Sequence, residues 1–274
     1  MRRAAVALAL APAFVVGCAP SLQHGLGRPI DGAALPPNIV VLTFDDGPDE
    51  DTLAIARWLH DQDPPIQATF FVNGKRFCKL TGDDGRCLQP PDMRACDDGE
   101  AQAAVAQPIY YSESVLDELI KLGHHIANHS QDHCHLPHER AANLVWEIAT
   151  TQALIDRHGK APFFFRAPYL EWTGKQAAAA RQAPELAQLH GPIDADLDGE
   201  DWDCWPKHLT IEQCGARYLA LVRARRHHNG ILLMHDRPEF AVGSDGPLKL
   251  TQWLVPRLRA EGYRFGSLSS MLIR

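Results

Sequence analysis

The sequence predicts an α/β fold, a barrel-like single domain built on parallel strands. Three observations carry this reading. Short apolar, β-branched runs recur without polar alternation, as in strands buried on both faces. Helical patterns stand between them. About 235 residues remain after the first 38, which suits one barrel better than two small domains.

The elements follow in order. Residues 39–44, Ile-Val-Val-Leu-Thr-Phe, read as the first buried strand. Residues 52–61 place Leu53, Ala56, Trp58 and Leu59 on a helical stripe that Pro64-Pro65 ends. A second strand covers 68–72. Ser114 and Asp117 open a helix with a capping-box pattern, and Gly123 closes it. A strand passes through Ile126, a long helix spans 139–157, and a strand covers 163–165. Residues 174–189 read as a helix with Pro184 as its weak point, and 211–226 as another. A strand at 231–234, a helix over 248–260 that Pro256 must bend or split, and a strand at 263–268 complete the set.

The N-terminus reads as an address. Arg2 and Arg3 precede an apolar stretch over residues 4–16, too short for the roughly 20 residues of a membrane span but right for a signal core. Val15-Val16-Gly17-Cys18 resembles a bacterial lipobox, so Cys18 is the expected lipidation site and the lipid the expected membrane anchor; ordinary secretion with a coincidental Cys is the alternative. Residues 1–17 are thus expected to be a lipoprotein-type signal peptide. Residues 18–38, rich in Gly and Pro, are expected to be a flexible tether, and 39–272 the folded domain. The expected location is the bacterial cell envelope. Lys and Arg total 27 against 34 Asp and Glu, a net −7; without Arg2 and Arg3 the balance is 25 to 34, or −9. That acidity argues against a nucleic-acid partner.

Residues 77–111 form an insertion without usable apolar period, carrying Cys78, Cys87 and Cys96. With Cys134, Cys204 and Cys214 they make six cysteines beyond Cys18, an even count that reads as up to three disulfides in an oxidising compartment. Three cysteines cannot pair among themselves. Full pairing therefore requires a bridge from the insertion to Cys134 or to the Cys204–Cys214 region, drawing it to the rim of the site described next.

Five groups stand at strand ends, where barrels keep their chemistry. Thr43-Phe44-Asp45-Asp46-Gly47-Pro48 follows the first strand with two adjacent carboxylates. His129 and His133 lie four residues apart; in a helical turn they share a face and can ligate one metal. With Asp46 they make a two-His, one-carboxylate set. Arg166-Ala167-Pro168-Tyr169 follows the strand at 163–165. Asp198-Gly199-Glu200-Asp201-Trp202 and Leu233-Met234-His235 complete the series.

Taken together these motifs resemble the polysaccharide deacetylase family, the NodB-homology domain: T-F-D-D-G-P, H-S-x-x-H, R-x-P-Y, D-x-x-D-W and L-x-H in the same order. The resemblance implies a distorted barrel of seven or eight βα units. It implies one divalent metal on Asp46, His129 and His133, zinc first, with cobalt or nickel as alternatives. Asp45 would be the general base, oriented by Arg166, and His235 the general acid, supported by Asp201. The backbone N–H of Tyr169 would join an oxyanion hole, while Trp202 and Leu233 would wall the acetyl pocket. The implied activity is removal of N-acetyl groups from N-acetylhexosamine units of an acetylated glycan: peptidoglycan, an exopolysaccharide or a chitin-like polymer. An O-acetyl esterase acting on a polymer such as acetylxylan is the alternative within the class. A catalytically silent carbohydrate-binding protein is the alternative outside it. Ala167 departs from a Pro common in the third motif, and the cysteine-bearing insertion is atypical.

Overall fold

The computed structural model describes residues 25–84, 86–97, 109–237 and 246–272. The expected signal peptide at 1–17 and the lipidation site Cys18 lie outside the described residues. The chain runs β1 (Gly25–Ile30), β2 (Ile39–Gly47), α1 (Thr52–His60), β3 (Thr69–Val72) and a hairpin of β4 (Leu80–Thr81) and β5 (Cys87–Gln89). Then come α2 (Ser114–Lys121), β6 (His125–Asn128), α3 (Ala141–Ile155), β7 (Phe163–Phe164), α4 (Gly174–Arg181), β8 (Leu189–Ile193) and β9 (Leu197–Asp198). The last elements are α5 (Asp201–Cys204), α6 (Ile211–Ala224), β10 (Gly230–His235), α7 (Gly246–Ala260) and β11 (Arg264–Gly266).

One sheet orders its strands β6-β3-β2-β10-β9, with β11 also on β2; a second runs β1-β8-β7. A parallel bridge from Asn128 to Phe165 joins them. The result, among the described residues, is a run of eight parallel strands (β9, β10, β2, β3, β6, β7, β8, β1) curled into the expected distorted barrel. Asp194 N–H extends the β1–β8 pairing by donating to Ile30 O at 2.8 Å, and between β1 and β9 the chain is joined without a ladder, by Gly32 N–H donating to Asp196 Oδ2 at 2.7 Å.

Period-two alternation sorts the strand residues. Val40, Leu42, Phe44, Phe70, Val72, Leu232 and Met234 pack outward on Ile55 and Leu59 of α1, Leu116 of α2, Tyr218 of α6 and Leu254 of α7. A second cluster seats α3 and α4 on β8, through Leu144, Ile148, Ala180 and Leu189. Val41, Phe71, Ala127, Phe164, Ile193 and Ile231 fill the barrel interior. Further along the same inward faces the side chains become polar, at Thr43, Asp45, His129 and His235. The strands thus carry an apolar plug beneath a polar mouth.

Several sequence expectations need correction. The tether does not extend to 38. β1 pairs with β8 (Gly25 opposite His190, Leu26 opposite Gly191), and Leu26 and Leu35 are buried, so two apolar anchors outweigh the surrounding Gly and Pro. The expected helix over 174–189 stops at Arg181. Pro184 opens a 3-10 turn, and Leu189 already belongs to a buried strand. α7 continues through Pro256. Ser114 forms no capping box: the N-cap is Glu113, and the Ser114 hydroxyl bonds Ser112 Oγ at 3.0 Å. Capping boxes form instead at Thr173 with Gln176 and at Thr210 with Gln213.

Candidate active site

β2 delivers both carboxylates. In an unbroken strand Asp45 and Asp46 would face opposite sides. The β2–β3 register skips a residue between Asp45 and Gly47, leaving Asp46 as a bulge with φ 74°. That left-handed residue, a conformation Asp tolerates better than most, turns its carboxylate to the same mouth as Asp45. A bulge that re-aims a side chain beside an active site is a recurrent use of the motif.

The histidine pair converges differently from expectation. Residues 129–133 form no helical turn; Ser130 (φ 68°) and His133 (φ 61°) are left-handed instead. His133 Nε2 stands 3.1 Å and His129 Nε2 3.4 Å from the same atom, Asp46 Oδ1. His129 Nδ1 donates to Arg166 O at 3.0 Å, which assigns the proton to Nδ1 and leaves a lone pair on Nε2. Burial pulls His133 below the ordinary imidazole range, against the opposing pull of Asp46, and so favours the neutral, ligand-competent ring. Asp46 Oδ1 is buried without a hydrogen bond. A carboxylate oxygen left orphaned beside a ring-nitrogen lone pair fits a cation, and this N₂O donor set suits zinc. Cys96, Cys134 and Glu139 also lie close enough to hold an ion, but the two sulfurs are joined as a disulfide and offer no thiolate.

Charge pairs flank this cluster. On one side Arg166, fully buried, donates from Nη1 to Asp45 Oδ1 at 2.7 Å and to Thr43 Oγ1 at 2.8 Å. Its Nε donates to Ile193 O at 3.1 Å, its Nη2 to Asp194 O at 3.3 Å, and its face lies 4.3 Å over the Phe71 ring. On the other side His235 Nδ1 pairs with Asp201 Oδ1 at 2.7 Å, while the His235 backbone N–H donates to Asp201 Oδ2 at 2.8 Å. Burial works against the His235 charge, but the Asp201 carboxylate outweighs it and lifts the imidazole to about 10. His235 and Asp45 are direct register partners on neighbouring strands, so both flanks stand at one level of the mouth.

The pocket residues are placed less uniformly. Leu233 is buried on β10, and Trp202 on α5 is 48% exposed. Tyr169 is left-handed (φ 57°) and 52% exposed, with its ring stacked 3.7 Å from His135 and edge-on to His133 at 4.6 Å. Such left-handed residues cost about 1–3 kcal/mol each and gather where function over-determines the backbone. Sequence reasoning missed Thr43, whose place two residues before Asp45 on one strand face was a usable signal. It also missed the carbonyls of Ile193 and Asp194, which carry no side-chain signal at all.

Residues 32–185 match the model of a family described as polysaccharide deacetylase. The chain is 28% identical over 233 residues to a chitin deacetylase of Colletotrichum lindemuthianum, covering 83% of this chain and 77% of that one. It is 24% identical over 234 residues to a peptidoglycan-N-acetylglucosamine deacetylase of Bacillus cereus, covering 85% and 67% respectively. The solved chitin deacetylase structure from Colletotrichum lindemuthianum superposes with a TM-score of 0.62 at 23% identity, covering 90% of this chain and 92% of that chain, a likeness of fold.

Proposed function

Because the chain belongs to the polysaccharide deacetylase family, we propose that it hydrolyses N-acetyl groups on N-acetylhexosamine units of an extracytoplasmic glycan, using one divalent ion held by Asp46, His129 and His133. The observation that carries this reading is the orphaned Asp46 oxygen between two imidazoles, with a base-type pair on one side and an acid-type pair on the other. A bound divalent ion lowers the pKa of its water towards about 7 and polarises the acetyl carbonyl. The chain's own groups do the rest. Asp45, fixed by Arg166, takes the proton from the attacking water as its oxygen bonds to the acetyl carbon. The Tyr169 backbone N–H donates to the oxyanion that develops. As the C–N bond breaks, His235 gives its proton to the departing amine, and acetate is left. Trp202 and Leu233 wall the acetyl methyl. An amide nitrogen is a poor leaving group, so a separate proton donor has a use here that a binding protein would not have.

The three disulfides among the described residues support folding in an oxidising compartment. Lipid attachment at Cys18 belongs to the same proposal, as the membrane anchor of an envelope enzyme. The test is acetate release from chitin oligomers, peptidoglycan and acetylxylan, with and without a chelator. Release from the N-acetylated substrates, abolished by chelation and restored by Zn²⁺, is the expected result. Release from acetylxylan alone would make the protein an esterase, and release from none would make it a binding protein.

A further inference from the structure

The loop that carries His129 and His133 has no helix ladder to hold its shape, so its geometry must come from outside. Three neighbours supply it. The turn after β3 gives Gly74 N–H to Ser130 O at 3.1 Å, Lys75 N–H to Gln131 O at 2.9 Å and Lys75 Nζ to Asp132 O at 2.9 Å. α3 accepts the Asp132 N–H on Glu147 Oε2 at 2.8 Å and donates from Thr151 Oγ1 to Gln131 Oε1 at 3.0 Å.

The third neighbour is the insertion. Gln131 Nε2 donates to Asp92 O at 2.8 Å, Arg94 N–H donates to Asp132 Oδ2 at 2.7 Å, and Cys96 is bonded to Cys134, the residue after His133. Three loop positions, 131 and 132 before His133 and 134 directly after it, are thus each held by the insertion. The insertion is in turn pinned to the scaffold. Asp97 N–H donates to Glu139 Oε1 at 2.7 Å, while the Asp97 carboxylate receives Arg140 Nη2 at 2.8 Å and Asn143 Nδ2 at 2.9 Å. The Arg94 guanidinium lies 4.2 Å over the Trp146 ring of α3. A surface loop stapled for its own stability would need none of these bonds to the segment between two ligands.

We propose that residues 92–97 of the insertion form an intramolecular clasp on the metal-binding loop, with Asp92, Arg94 and Cys96 as positioning residues that set the affinity of the metal centre. The proposal rests on the metal reading given under Proposed function. Ligand groups need their outer partners to stay in place, and loss of such partners typically weakens metal binding about 10–100-fold.

The test uses the full chain. Replacing both Cys96→Ala and Cys134→Ala removes the bridge without leaving a thiol to compete for the ion. The control pair, Cys204→Ala with Cys214→Ala, removes a bridge that does not touch the loop. Zn²⁺ affinity is read by competition with a chromophoric chelator, and amide hydrogen exchange over 129–134 is read in metal-free protein. The 96/134 pair should bind Zn²⁺ about 10–100-fold more weakly and exchange faster over 129–134, while the control stays within about twofold of the parent. Equal affinity and exchange in both pairs, or an equal loss in both, overturns the clasp. If the parent chain takes up no Zn²⁺, the metal reading falls, and the exchange measurement alone decides whether the clasp exists. Should the 96/134 pair fail to fold, Arg94→Pro removes the N–H given to Asp132 with all bridges kept, and the same two readouts apply.

Discussion

On one side of the metal-type cluster a buried cation, Arg166 at 0% exposure, holds the carboxylate proposed as base, Asp45; on the other a buried carboxylate, Asp201 at 1%, holds the imidazole proposed as acid, His235. The two flanks are one device built with opposite polarity. Each uses a fully desolvated charge to orient its partner, since a buried charge without a partner is costly. They differ in closure. Arg166 is satisfied on every side, by Asp45, Thr43, two carbonyls and the Phe71 face, whereas the His235 side chain retains 20% exposure. The two flanks differ in which sign is buried, a guanidinium on one and a carboxylate on the other.

The largest test of this comparison is Asp45→Asn. Metal content should stay at the parental level while turnover of an N-acetylated oligomer falls about 10²–10⁴-fold; near-full turnover would remove Asp45 from the base role. His235→Ala sharpens the contrast. On an amide substrate its loss should also approach about 10²-fold or more, but on an acetate ester it should be smaller, because an unprotonated alkoxide is a far better leaving group than an unprotonated amide nitrogen. Equal losses on both would separate His235 from leaving-group protonation. The smallest effect is that of Asp201→Asn. Asp201 raises the pKa of His235, so His235 stays protonated up to about pH 10 and loses its proton above that. Removing the Asp201 charge lowers that value, and the alkaline limb of kcat/KM should move to lower pH with little change in the acidic limb. An unmoved alkaline limb would break the symmetry of the two flanks.

How much of this was legible in the sequence depended on whether the cause was local. The buried strand that leads into Asp45 could be read because its apolar run and its carboxylates lie within one short stretch. The donor set at Asp46, His129 and His133 could be read from residue type, yet its geometry could not, because left-handed residues 130 and 133 replace the helical turn that the spacing suggests. β1 stayed hidden because Gly25, Gly27 and Pro29 look flexible until β8, more than 160 residues later, supplies their ladder. Parity of the cysteines demanded one bridge from the insertion to the body. The choice of Cys134 over Cys204 lay in tertiary distance alone, and the local pairing of Cys204 with Cys214 settled it.

The bulge at Asp46 also determines where the chain can change in length. Deleting one residue between Phe44 and Gly47 would restore the unbroken β2–β3 register, returning the strand to strict alternation with one carboxylate at the mouth. Adding one would turn the following Gly-Pro away from the carboxyl of Asp236, against which Gly47 packs too closely to carry a side chain. In the six residues from Thr43 to Pro48 the chain cannot gain or lose a position without losing the bulge or the seat of Gly47 on Asp236.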